Sequence, residues 1–249
     1  MRLFNFLIAS IIICLTLWNC GHKQSETTEQ DTTIVNQQNS TDTLAKILAM
    51  PDTNEHQVTT KHFIFTFEPS TKDFFDKTNQ ATNLIPDSTK LEKVGLKWFG
   101  NLADGTKKNI ATNDTTEGFD TYAVYEFIGV LAEQSQWVFQ VNFYESIEYV
   151  LIDMHTGKHM PLYGFPVVSP DKKWIISSNA DLVAGESENA FNLIQITPQG
   201  LIVKDEVTLK TRGINQLKWI NNTTLVVKET FLQNDEELIR YAKLYIQKK

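Results

Sequence analysis

The chain offers very little sulfur chemistry. Two cysteines occur in 249 residues, Cys14 and Cys20, and both lie in or beside an apolar run at the N-terminus. Everything after residue 20 is free of thiols, which excludes a disulfide, a thiolate metal site and a cysteine nucleophile from the body of the protein. The usual catalytic signatures are missing as well. There is no Gly-x-Ser-x-Gly elbow, no His-Glu-x-x-His, no phosphate-cradling glycine loop and no Cys-x-x-Cys. Positive charge is short: 23 Lys and Arg stand against 30 Asp and Glu, a net charge of −7. A nucleic-acid binder needs a basic footprint to displace counterions, so nucleic acid is excluded as a partner. No long stretch has the apolar spacing of an amphipathic helix.

What is present is apolar residues at strand spacing. Hydrophobic residues make up 41% and aromatics 11% of the chain, enough for a real core. Phe63, Phe65 and Phe67 alternate with Ile64 and Thr66, the period-2 pattern of a strand with one aromatic face. Leu96 to Phe99 predicts a further strand. Dense signals follow at Tyr122 to Val130, Gln136 to Tyr144 and Ile147 to Met154. In the second of these Trp137, Phe139, Val141 and Phe143 share a face opposite Gln140 and Asn142. Lys72 to Asp87 reads as a loop or short helix. Later strands are expected at Phe191–Ile196, Leu201–Val203, Ile214–Ile220, Thr223–Val227 and Tyr241–Ile246. Between these runs lie turn formers: Thr156-Gly157, Ser169-Pro170-Asp171, Pro198-Gln199-Gly200 and Asn221-Asn222. The fold class is all-β and antiparallel.

The N-terminus has a different character. Met1-Arg2 precedes an apolar run from Leu3 to Trp18, about 16 residues and short of a comfortable membrane span. The run ends in Leu17-Trp18-Asn19-Cys20-Gly21, which resembles the end of a bacterial lipoprotein signal peptide. The resemblance implies cleavage before Cys20, lipid attachment at Cys20, and a membrane partner reached through that lipid anchor. Gly21 after the cysteine implies the outer membrane, within a cell-envelope localisation that is periplasmic or surface-facing. Residues 22–39 are almost wholly polar and cannot offset the entropy of ordering. The expected organisation is a signal peptide over 1–19, a lipidated tether over 20–57 and a β domain over 58–249.

Internal repetition sharpens the fold expectation. Val167 to Ile176 and Leu217 to Val227 are each strand, short turn, strand, with a fainter copy over Ile128 to Asp153. The period of roughly 40 to 50 residues is that of a four-stranded propeller blade. The Ser169-Pro170-Asp171 turn resembles the blade repeat of TolB-type, WD-repeat-like β-propellers. In that family glycine follows the aspartate. Here Lys172 stands there, and a non-glycine residue in a left-handed conformation costs roughly 1 kcal/mol. The expectation is a propeller-like array of antiparallel four-stranded sheets, closed or truncated, with a β-sandwich as the alternative.

Three clusters carry candidate chemistry. His155 and His159 flank a turn beside Asp153, and two imidazoles with a carboxylate are zinc-type ligands. Asp181, Glu186 and Glu188 gather in a polar insert and are candidate binding residues. Asp114, Glu117 and Asp120 surround Gly118 but lack EF-hand spacing. Solvated loops are the plain alternative for all three, and no cofactor is implied. Trp98 and Trp137 are either core residues or a sugar-stacking pair. Together these features point to an envelope-anchored, non-catalytic β domain that binds a protein or a glycan. The alternatives are a hydrolase built from carboxylates of separate loops, and a secreted inhibitor or immunity-type protein. Carboxylates from different loops meeting in one pocket would favour the hydrolase.

Overall fold

The structure, a computed structural model, describes residues 56–81, 83–116, 121–185, 187–233 and 236–249. The expected signal peptide, Cys20 and almost all of the tether therefore lie outside the described residues. Apart from a six-residue α-helix, α1 (Lys72–Lys77), and one 3-10 turn, the ordered elements described are strands.

They form four antiparallel sheets, numbered I to IV. Sheet I holds β4 (Leu91–Val94), β5 (Lys97–Asn101) and β6 (Lys107–Thr112). Sheet II runs β10 (His159–Leu162), β9 (Ile147–Asp153), β8 (Gln136–Phe143), β7 (Ala123–Leu131) and β3 (Leu84–Ile85). Sheet III is β11 (Val167–Val168), β12 (Trp174–Ser178), β13 (Ala190–Thr197) and β14 (Gly200–Thr208). Sheet IV runs β1 (Gln57–Thr59), β2 (Phe63–Pro69), β17 (Glu236–Lys248), β16 (Thr224–Gln233) and β15 (Arg212–Asn221). Its N-terminal strand β2 pairs along β17 near the end of the chain, with Phe63 opposite Lys248 and Phe67 opposite Leu244.

Strand alternation explains how the sheets stack. In sheet II, Trp137, Phe139, Val150 and Ile152 point to one side and pack with Leu102 and Ile110 beside sheet I. Val138 and Leu151 point to the other side and meet Ile175 and Ile194 of sheet III. In sheet III, Ile176, Phe191 and Leu193 face the opposite way, onto Phe65, Ile214, Leu225 and Leu244 of sheet IV. Side chains one residue apart thus serve different layers, as a two-residue period requires. Sheets II and III are covered on both faces.

The propeller-like expectation is overturned here. None of the four sheets closes or curls, and the buried clusters join I to II, II to III and III to IV. Most residues of sheet I are exposed or half-buried. A serial, sandwich-like packing of discrete sheets results. The two aligned hairpins do fall in neighbouring sheets, III and IV. However, Trp174 follows its turn whereas Trp219 precedes its own, and Trp219 Nε1 donates to the Val167 carbonyl at 3.1 Å. The aromatic question is settled by burial. Trp137 is 0% exposed, and Trp98 packs edge-on against Phe139 with ring centroids 5.3 Å apart. Gly100 of β5 lies directly over the Trp137 ring, where an added Cβ would come within 2.5 Å of it.

Candidate functional site

The polar insert expected to carry binding residues closes one end of sheets II and III. Asp181 organises this loop: its carboxylate accepts from the Gly185 N–H at 3.1 Å and from the Ser187 N–H at 2.8 Å. Asn189 ties the loop back, accepting from the Asp181 N–H at 2.7 Å. Glu188 is exposed and accepts a long hydrogen bond, 3.4 Å, from the Tyr163 hydroxyl. Glu186 lies outside the described residues.

Two adjoining clefts open at this end. One, of about 370 Å³, is bounded by Glu148 of β9, Tyr163 just after β10, Glu188 of the insert, Asn192 of β13 and Glu206 of β14. The other, of about 570 Å³, shares Asn179 and Ser187 with it and adds Glu145, Ile147 and Asp181. No Lys, Arg or His lines either cleft among the described residues. Burial pushes the Glu148 carboxyl above the ordinary carboxylate range. Burial likewise raises the Tyr163 hydroxyl, and the nearby charges of Glu206 and Glu188 raise it further. The exposed side chains of Ile147 and Val183 flank the clefts.

Sequence reasoning identified Asp181 and Glu188 but missed Glu148, Tyr163, Asn192 and Glu206. Glu148 sits between Ile147 and Tyr149 in a run that reads simply as a strand. Glu206 and Asn192 become neighbours only because β13 pairs with β14 in a register that places them opposite each other.

The histidine cluster lies at the other end of sheet II, and the structure does not assemble it around an ion. Asp153 Oδ1 accepts from the His155 and Thr156 N–H groups at 3.0 and 2.7 Å and from Thr156 Oγ1 at 2.8 Å. Its Oδ2 accepts from Gln136 Nε2 at 3.0 Å. Burial tends to raise this carboxyl, but the hydrogen bonds from Thr156, Gln136 and His155 outweigh it and hold Asp153 below its ordinary value. His159 turns away and pairs Nε2 with the Ile110 carbonyl at 2.5 Å. His155 is exposed. Gly157 adopts φ +66°, as its turn position leads one to expect. Among the described residues no three His, Cys, Asp or Glu side chains are placed to hold a metal ion. Asp114 similarly caps its own loop through the Thr116 N–H and hydroxyl, while 117–120 lie outside the described residues.

Ser169 is structural. Its buried Oγ accepts from the Lys173 and Trp174 N–H groups and donates to Asp171.

No family model matches the chain, and no curated protein or solved structure matches it either. The resemblances drawn from Leu17–Gly21 and from Ser169–Asp171 are corrected accordingly. Neither the lipoprotein nor the TolB-type propeller assignment finds support in kinship, and the four unclosed sheets contradict the latter directly. Among the described residues no helix is long and apolar enough to cross a membrane.

Proposed function

We propose that the protein is a secreted binding protein of the inhibitor type, which blocks a partner protein by laying its acidic end on the partner's basic surface. One observation carries the reading. Glu145, Glu148, Asp181, Glu188 and Glu206 come from segments far apart in sequence to line two adjoining clefts, and no lining cation offsets them. Clefts lined by one sign of charge focus the field and speed encounter with an oppositely charged partner. Ile147 and Val183 beside them supply apolar surface for a dry centre of contact. The basic Met1-Arg2 start and the apolar run after it support action after export, in the cell envelope or beyond it.

Charge reversal tests this. The Glu145→Lys/Asp181→Lys variant should fail to retain the protein that wild type retains from a cell-envelope extract. Retention by wild type should weaken as salt is raised. Equal retention by variant and wild type would refute the reading.

A second reading, hydrolysis by carboxylates gathered from separate elements, is favoured by the raised Glu148 carboxyl in the smaller cleft. Turnover of aryl glycosides that disappears in Glu148→Gln would replace the inhibitor reading with this one.

A further inference from the structure

Within the acidic end, the smaller cleft has a feature that net charge does not explain. Asn192 is 2% exposed yet lines the cleft. Its Oδ1 accepts from Ser177 Oγ at 2.7 Å. No hydrogen bond engages its amide nitrogen among the described residues, and Asn192 is not one of those with a contact left undescribed. A buried N–H donor without a partner is costly, and in a native cleft it points to an acceptor that arrives from outside. The carboxylates around it ask for the opposite. Glu206, directly across the ladder from Asn192, and Glu148, half-buried on the facing sheet, are acceptors only when ionised.

A ligand that satisfies this cleft therefore brings a cation with several donors and, a short distance away, a single strong acceptor. An arginine residue in an extended backbone has both. Its planar guanidinium presents five N–H groups that suit carboxylates, and its main-chain carbonyl lies within reach of the same site. Lysine offers a more strongly hydrated point charge and no planar fork. A neutral sugar offers hydroxyls but leaves the uncompensated carboxylates without a cation.

We infer that the cleft between β10 and the β13–β14 ladder is a socket for one arginine residue of a basic polypeptide, with Glu148 and Glu206 receiving the guanidinium and Asn192 Nδ2 donating to the carbonyl. This rests on the inhibitor-type reading above and names the residue on the partner that the acidic end is built to take.

The test uses small probes with the full-length protein, followed by ¹H–¹⁵N NMR. N-acetyl-arginine amide should give saturable shifts at the Asn192 side-chain amide and at the backbones of Glu148, Tyr163 and Glu206. Agmatine, a guanidinium without a carbonyl, should bind several-fold more weakly. Glu206→Gln, an exposed and fold-neutral change, should weaken N-acetyl-arginine amide by about tenfold. In Asn192→Asp, which keeps an acceptor for Ser177, the preference for N-acetyl-arginine amide over agmatine should vanish. The socket is overturned if N-acetyl-arginine amide gives no saturable shifts, if Glu206→Gln binds it as wild type does, or if N-acetylglucosamine binds in its place. Should it fall while Glu145→Lys/Asp181→Lys still loses the partner, the acidic-end reading stands without it. If both fail together, that reading falls as well.

Discussion

Lys172 shows how one residue can carry strain for a turn. It sits at φ +58°, in the left-handed region, where the Ser169 carbonyl receives its N–H at 2.9 Å. A side chain with a Cβ is disfavoured there, and Lys172 offsets part of the cost through an exposed ion pair with Glu133. Replacing it by Gly and by Ala removes that pair equally, so the difference between the variants isolates the backbone. Lys172→Gly should be more stable than Lys172→Ala by about 1 kcal/mol in denaturant unfolding. Glu148 makes the complementary point about charge. Its folded pKa is raised, so the contribution it makes to stability is full below its unfolded pKa and is lost as pH rises through the folded value. Glu148→Gln cannot ionise. Its stability relative to wild type should therefore improve from pH 4 toward neutral, measured as midpoint shifts in urea. A constant difference across that range would mean the carboxyl is not destabilised by the cleft.

At the scale of elements, turns in this protein are held by buried or half-buried side chains rather than by sequence type alone. The β9–β10 turn hangs on the Asp153 carboxylate, which accepts four hydrogen bonds. Asp153→Ala should cost about 1–3 kcal/mol, since it leaves these donors without their acceptor. The pH dependence runs opposite to that of Glu148. The folded pKa of Asp153 is depressed, so its contribution is present above the unfolded value and is lost as pH falls through the folded one. The gap between wild type and Asp153→Ala should accordingly narrow in acid. The β11–β12 turn depends in the same way on Ser169.

On the scale of the whole molecule, sheet IV carries an unusual expense. Glu229 of β16 is 0% exposed and sits between two arginines, with Arg212 Nη1 of β15 at 3.1 Å and Arg240 Nη2 of β17 at 2.9 Å. The Arg212 guanidinium lies 3.8 Å over the Phe67 ring of β2, and that of Arg240 lies 4.2 Å over Phe231 of β16. Four strands from both ends of the chain are thus tied through one carboxylate. Removing it strands two cations in the interior. Glu229→Ala should cost about 3–5 kcal/mol, a large share of a total near 5–15 kcal/mol. A loss under 1 kcal/mol by calorimetry or urea unfolding would show that the triad is solvated and does not bind the sheet together.

What the amino-acid order determined by itself is the set of strongly patterned strands. Phe63–Phe67, Trp137–Phe143 and Ile147–Asp153 are legible because strand alternation is a local property, set by neighbours two residues apart. Turns at Gly157 and Ser169–Lys172 were legible for the same reason. Strands such as Lys107–Thr112 and His159–Leu162 were not, because their residues are polar or turn-prone and become strands only by pairing with β5 and β9. The polar hairpin joining β16 to β17 extends for the same cause, well past the apolar stretches that announce it. Apolar alternation also cannot say which sheet a face will meet, so a serial packing of four sheets and a ring of blades share one sequence pattern. The acidic cleft and the Glu229 triad lie further out of reach. Glu148, Asn192 and Glu206, like Arg212, Glu229 and Arg240, look like ordinary strand residues one at a time. Only strand register and sheet-on-sheet packing, long-range choices that minimise exposed apolar area, bring them together.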